Sequence, residues 1–229
     1  MASSTGTTIV RSGAVRLKNR SCPSLFALAG LGSTPVWDGA SRPSWADALE
    51  ANWTTIRAEY DAAKKARGSD YAVSDGEHKL HQGDWEWRSF VLKGQWQSEM
   101  AAQCPETAKI LREHVPDLML ELPFAYCFFS TLKSGSAIQP HYAPCNLRVR
   151  CHLGLSVPSA DSTECGIRVA DQERAWEEGK ALVFDDAFEH ETWNKTKEDR
   201  VVLLLDVWHP DLTLQERKEI IDMFASVRK

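Results

Sequence analysis

The chain has 229 residues, 43% of them hydrophobic and 26% charged, with a formal net charge of −5 at pH 7. That is the make-up of one ordinary globular domain, without the basic excess that a nucleic-acid partner requires. No apolar run approaches the ~20 residues of a membrane-spanning helix, and the six cysteines show neither CxxC nor zinc-finger spacing, so reduced thiols in a cytoplasmic protein are expected.

Residues 1–36 carry Arg11, Arg16, Lys18 and Arg20 among many Ser and Thr, with no acid before Asp38. This composition resembles a mitochondrial transit peptide; an irregular arm packed on the domain is the preferred reading, and residues 37–229 form the domain itself. From Ser44 the pattern is helical, with Trp45, Leu49, Trp53, Ile56 and Tyr60 on one face. Ser44 is placed to cap this helix with Asp47 three residues on, and Gly68 to stop it. "HQGDWEWRSFVL" (81–92) reads as a turn and a strand. Pro105 opens a second helix with Ile110 and Leu111 inward.

The second half changes to short β-rich runs at 124–132, 146–157, 165–170, 180–186 and 200–208, separated by turn residues such as "KSGSA" and "EEGK". A final helix follows a Thr213–Glu216 capping box. Many short strands at close spacing, with helices at the flanks, predict a mainly β fold of the jelly-roll type.

Histidines far apart in sequence meet across the mouth of such a fold, where they commonly hold a metal. His141 and His190 are the candidates; neither has HExxH spacing, which excludes a zincin. Arg200 begins an otherwise apolar run interrupted only by Asp206, and a charge on the interior face of a strand needs a partner such as an anionic ligand. Arg148, Arg150 and His152 share one parity and therefore one face of their strand. Asp185, Asp186, Glu189 and Glu191 crowd His190. They read as turn groups, caps or orienters of its ring, with a carboxylate ligand among them left open. His209 is expected to be structural, and His78, His81 and His114 to face solvent. Most tryptophans are expected in the core. Cys145 and Cys151 are placed near the site without a role.

"QPHYAPCNLRVRCHLGL", "WEEGKALVFDDAFEHETWN" and "RVVLLLDVWHPDLT" resemble the aspartyl/asparaginyl β-hydroxylase family over roughly residues 120 to 215, and more weakly back to "LAGLGSTPVW". The resemblance implies a double-stranded β-helix, with iron(II), 2-oxoglutarate and O₂ as cofactor and cosubstrates. It implies His141 and His190 as iron ligands and Arg200 with Ser130 on the distal carboxylate of 2-oxoglutarate. Arg150, His152 and Trp85 complete that pocket, and Arg148 is a candidate for gripping the substrate's carboxylate. The reaction implied is oxidation of an unactivated C–H bond, at the β-carbon of an amino acid or of an aspartyl or asparaginyl residue in a peptide, with succinate and CO₂ as coproducts. A free amino acid or small metabolite, with hydroxylation, desaturation or ring closure as outcome, is the alternative.

Ala143 stands where a facial triad would place Asp or Glu. The β-hydroxylases share that gap and fill the position with water; 2-oxoglutarate halogenases share it and bind chloride. A metal-free cupin-like binding module and a hydrolytic zinc protein are further alternatives, and Arg200 beside both histidines argues against each.

Overall fold

Two antiparallel sheets face one another, with most of their strands drawn from the second half of the chain. The computed structural model describes residues 9–11, 19–66 and 80–227. Its elements follow as β1 (Ile9–Arg11), β2 (Phe26–Leu28), α1 (Trp45–Ala51), α2 (Trp53–Ala66), β3 (His81–Gln82), β4 (Trp85–Leu92), β5 (Gln95–Trp96), α3 (Ser98–Gln103), α4 (Pro105–His114), β6 (Cys127–Leu132), β7 (Ser136–His141), β8 (Arg148–Ser156), β9 (Cys165–Val169), β10 (Gln172–Ala175), β11 (Ala181–Phe184), β12 (His190–Asn194), β13 (Arg200–Trp208) and α5 (Leu214–Val227). The larger sheet has the order β11-β8-β13-β6-β4-β5 and the smaller β10-β9-β12-β7-β3. This is the expected double-stranded β-helix, mainly β with helices at its flanks.

Side-chain parity divides the larger sheet. Val149, Cys151, Leu153 and Leu155 of β8, and Val201, Leu203, Leu205 and Val207 of β13, pack outward with Leu49, Ile56 and Leu111 of α1, α2 and α4. Each such buried aliphatic contributes ~1.5–3 kcal/mol. On the other face Val202 and Leu204 meet Ile167 and Val169 of the smaller sheet. Arg148, Arg150, His152, Arg200 and Asp206 have that same inward parity. Cys151 therefore lies on the helix side of the sheet, away from the histidines, because its parity is odd.

Two local expectations change. The helix from Ser44 is two helices, parted at Asn52, whose side chain donates to the Ala48 carbonyl at 2.8 Å. Ser44 makes no side-chain cap; Asp47 pairs instead with Arg42, which also reaches Glu50 at 2.6 Å. The Thr213–Glu216 box forms as expected, with both reciprocal bonds (2.9 and 3.3 Å). The N-terminus of α4 is capped from α2: the Glu59 carboxylate accepts from the backbone N–H groups of Glu106 and Thr107.

The arm is bound to the barrel from Cys22 onward. Cys22 N–H donates to the Ala187 carbonyl, Ser24 N–H to that of Ala143 and Trp37 N–H to that of Val183, at 2.7–2.8 Å. Arg16, Lys18, Gly68 and His78 lie outside the described residues.

Candidate active site

β7 and β12 are neighbours in the smaller sheet, and His141 and His190 are direct register partners with ring centres 4.0 Å apart. The register slips just beyond this pair, where β7 has one residue more than β12. Pro140 sits in the slip, and a residue without an N–H suits a bulge. Each imidazole Nδ1 faces a carbonyl two residues back: Gln139 O at 2.7 Å for His141, and Phe188 O at 2.9 Å for His190. A carbonyl only accepts, so both Nδ1 atoms carry the proton and both Nε2 atoms present a lone pair. Burial holds both rings below the usual histidine range, hence neutral. The orienters of His190 are thus backbone, not the neighbouring acids.

Those acids are occupied elsewhere. Asp185 accepts from Ala187 N–H at 2.9 Å, and burial pushes its carboxyl up to about 7. Glu189 and Glu191 both pair with Arg168 (2.9 and 2.6 Å). Among the described residues no group of three His, Cys, Asp or Glu is placed to hold a metal. At the position after Tyr142 there is only Ala143, which is buried and lines the cavity.

Arg200 is 1% exposed and has no carboxylate partner among the described residues. Its guanidinium lies 4.6 Å from the ring centre of Trp176 and reaches only the Ser130 carbonyl, at 3.4 Å. Its Nε–H has no hydrogen-bond acceptor among the described residues, and burial lowers its pKa to about 10. His152 has the complementary defect. Trp176 Nε1–H donates to its Nδ1 at 3.3 Å, so in the neutral ring, which burial enforces, the proton sits on Nε2. That atom is also buried without a partner. Ser130 Oγ accepts from Trp85 Nε1–H at 2.8 Å, which leaves its own proton to donate. Three donors on the inner face of β6, β8 and β13 thus lack an acceptor, and leaving such groups unmet is costly. A carboxylate fits them. Gly154 makes room for the covering tryptophan: a Cβ there would strike the Glu177 carbonyl.

Arg148, the candidate substrate grip, lines the cavity beside the histidines, with its guanidinium engaged by acids of the protein. It is 3% exposed and donates to Asp186 (Nη2, 2.6 Å), to Asp206 (Nη1, 2.9 Å) and to the Phe124 carbonyl. Arg150 holds Asp206 with Nε and Nη2 (2.8 and 3.1 Å); its Nη1 has no protein partner among the described residues. Burial alone would raise the Asp186 carboxyl, but the guanidiniums of Arg148 and Arg150 hold it down at about 2. Two cations and two anions form a neutral floor. Above it lies a cavity of about 200 Å³ whose lining includes His141, His190, Arg150, Trp85, Trp87 and Phe128.

Trp176 and Asp206 were contributors that sequence reasoning did not place; Asp186, placed beside His190, pairs with Arg148. For Asp206 the signal existed, since an acid inside an apolar strand at the parity of Arg200 needs a cation. Trp176 gave none. His209 is structural as expected, donating through Nε2 to Gly32 O at 2.9 Å. His114 is exposed. His81 is half-buried and packs edge-on to Trp85, so it does not simply face solvent.

A jelly roll with two neutral histidines and a buried arginine that lacks a carboxylate partner among the described residues on its inner walls defines a cupin-like fold. Residues 50–210 match the family model for aspartyl/asparaginyl beta-hydroxylase, and the chain belongs to this family. It is 34% identical over 200 residues to the human aspartyl/asparaginyl beta-hydroxylase, covering 86% of this chain and 26% of that protein. It is 32% identical to the rat aspartate beta-hydroxylase domain-containing protein 2, covering 90% of this chain and 60% of that one. It is 36% identical to an ornithine lipid ester-linked acyl 2-hydroxylase of Rhizobium tropici, covering 80% of this chain and 63% of that one. The chain therefore spans about a quarter of the human relative's length and about three fifths of the other two.

Proposed function

We propose that this chain is an iron(II)- and 2-oxoglutarate-dependent oxygenase that hydroxylates an unactivated C–H bond of an amino acid, free or within a peptide. One observation carries the reading: buried Arg200, without a counter-ion among the described residues, shares the barrel with two histidines whose Nε2 lone pairs are free. A hydrolytic zinc site has no use for such an arginine, whereas a dicarboxylate cosubstrate does.

His141 and His190 would hold the metal through Nε2, a donor type that suits iron. Arg200, with Ser130 and the Nε2–H of His152, would bind the distal carboxylate of 2-oxoglutarate, the guanidinium fork matching it. Trp176 covers that end and keeps water from competing. Iron with 2-oxoglutarate and O₂ supplies the oxidant for the C–H bond, the 2-oxo acid leaving as succinate and CO₂. Arg148 and Asp186 hold the floor, and Arg150 Nη1 is the donor left for a polar group of the substrate. Ala143 leaves the space beside the histidines open for a small ligand, which we take to be water.

The test is anaerobic titration with iron(II) and 2-oxoglutarate, followed by succinate release across amino acids, peptides and acyl amino acids. A visible metal-to-ligand charge-transfer band and substrate-stimulated succinate are expected. Absence of the band with correctly folded protein would overturn the reading.

A further inference from the structure

The ladder between the two histidine strands is broken where it matters most. Beyond the His141–His190 pair the β7–β12 register slips at Pro140, so backbone pairing on that side does not fix the spacing of the rings. Behind the pair, on the outer face of the smaller sheet, a side-chain relay spans the same two strands. Arg168 of β9 is 8% exposed. Its Nε donates to Glu191 at 2.6 Å, its Nη2 to Glu189 at 2.9 Å and its Nη1 to the Ala170 carbonyl at 2.5 Å. The two carboxylates flank His190. Glu189 also accepts from the Tyr142 hydroxyl at 3.1 Å, and Tyr142 follows His141. The Glu189 carbonyl in turn takes the Ala170 N–H at 2.8 Å.

We infer that Arg168 is a positioning residue for His141 and His190: its fork holds both flanks of one histidine directly and the neighbour of the other through Glu189, replacing the ladder bond lost at Pro140. The inference rests on the metal reading of that pair. A planar fork with three fixed partners restrains angle as well as distance, which an ammonium does not. Outer partners of this kind typically alter metal affinity ~10–100-fold when removed.

The experiment titrates Co(II), alone and under argon, into the full chain and its Arg168→Gln, Arg168→Lys, Glu189→Gln and Tyr142→Phe variants, reading the visible d–d band and the melting temperature of the metal-free protein. Arg168→Gln should weaken Co(II) binding ~10-fold and change the band. Arg168→Lys should recover melting temperature but not the band, because it restores charge without the fork. Tyr142→Phe should shift affinity in the same direction by a smaller factor and stay folded. If Arg168→Gln does not fold, the Glu189→Gln and Tyr142→Phe titrations decide. Wild-type affinity and spectrum in the variants that fold would overturn the positioning role alone. Failure of the wild-type protein to bind Co(II) would overturn the metal reading beneath it.

Discussion

The Arg200 guanidinium lies face-on to Trp176, 4.6 Å from the ring centre, in a fully buried position without a carboxylate opposite it among the described residues. Nearby Trp176 also holds His152 in the tautomer that aims a second donor inward. An unpaired buried charge is costly to the free protein, and a dicarboxylate ligand offsets that cost on binding. Replacing Arg200 by Met should therefore leave the unliganded protein as stable or more so, while weakening 2-oxoglutarate binding at least ~30-fold, the equivalent of ~2 kcal/mol. Paired thermal melts and calorimetric titrations with Mn(II) as inert metal check it. An unchanged cosubstrate constant would mean that another group holds the carboxylate.

The floor responds in the opposite sense. Asp206 is fully buried and meets both Arg148 and Arg150. Asp206→Ala leaves two guanidiniums against the one carboxylate of Asp186, and breaking such a buried pair costs ~3–5 kcal/mol. Urea unfolding should show that loss; a change under ~1 kcal/mol would show that the pairs contribute little.

Asp185 sets a pH dependence of stability. Burial raises its folded pKa to about 7 from 3.8, so the fold favours the protonated acid. Its contribution is fully present below the unfolded value and is lost as pH rises through 7. Asp185→Asn keeps an acceptor for the Ala187 N–H and removes the titration. Melting temperature should fall from pH 4 to 8 in the wild-type chain and fall less in the variant. Parallel curves would contradict this.

The arm from Cys22 onward is part of the site's frame, since Ser24 donates to the Ala143 carbonyl and Cys22 to that of Ala187. Deleting residues 1–18 should leave Co(II) affinity unchanged. Deleting residues 1–30 should lower both melting temperature and affinity. Equal behaviour of the two truncations would show that the latch is dispensable.

Ala143 decides between water and halide beside the histidines. Turnover is expected to be independent of chloride and bromide, with no halogen in the product by mass spectrometry. Ala143→Asp is expected to lower activity: the Ala143 backbone is fixed on both sides, to Asp186 and Ser24, and a carboxylate ~1 Å out of place can cost ~100-fold. A chlorinated product would instead support the halogenase.

Much of this site was legible before any coordinates. His141, His190 and Arg200, and through the family resemblance Ser130 and His152, could be named as candidates because motif order and strand parity survive in a linear sequence. The strands β7, β10 and β12 were not, although two of them carry the histidines. "SAIQPH" contains a proline and "HETWN" is polar on its inner face, with His190, Thr192 and Asn194 buried, so neither shows a run of alternating apolar residues. They are strands because neighbours pair with them, which is a tertiary cause.

What the sequence determined by itself was the residue inventory and the face each residue takes on its strand, because side-chain period in a strand is fixed by backbone geometry. What only the tertiary structure decided was which charges cancel. Arg148, Arg150 and Arg200 have the same parity, yet among the described residues the first meets two aspartates, the second keeps one nitrogen free and the third meets none. Coulomb attraction and desolvation depend on distance and burial across strands, not on position along the chain.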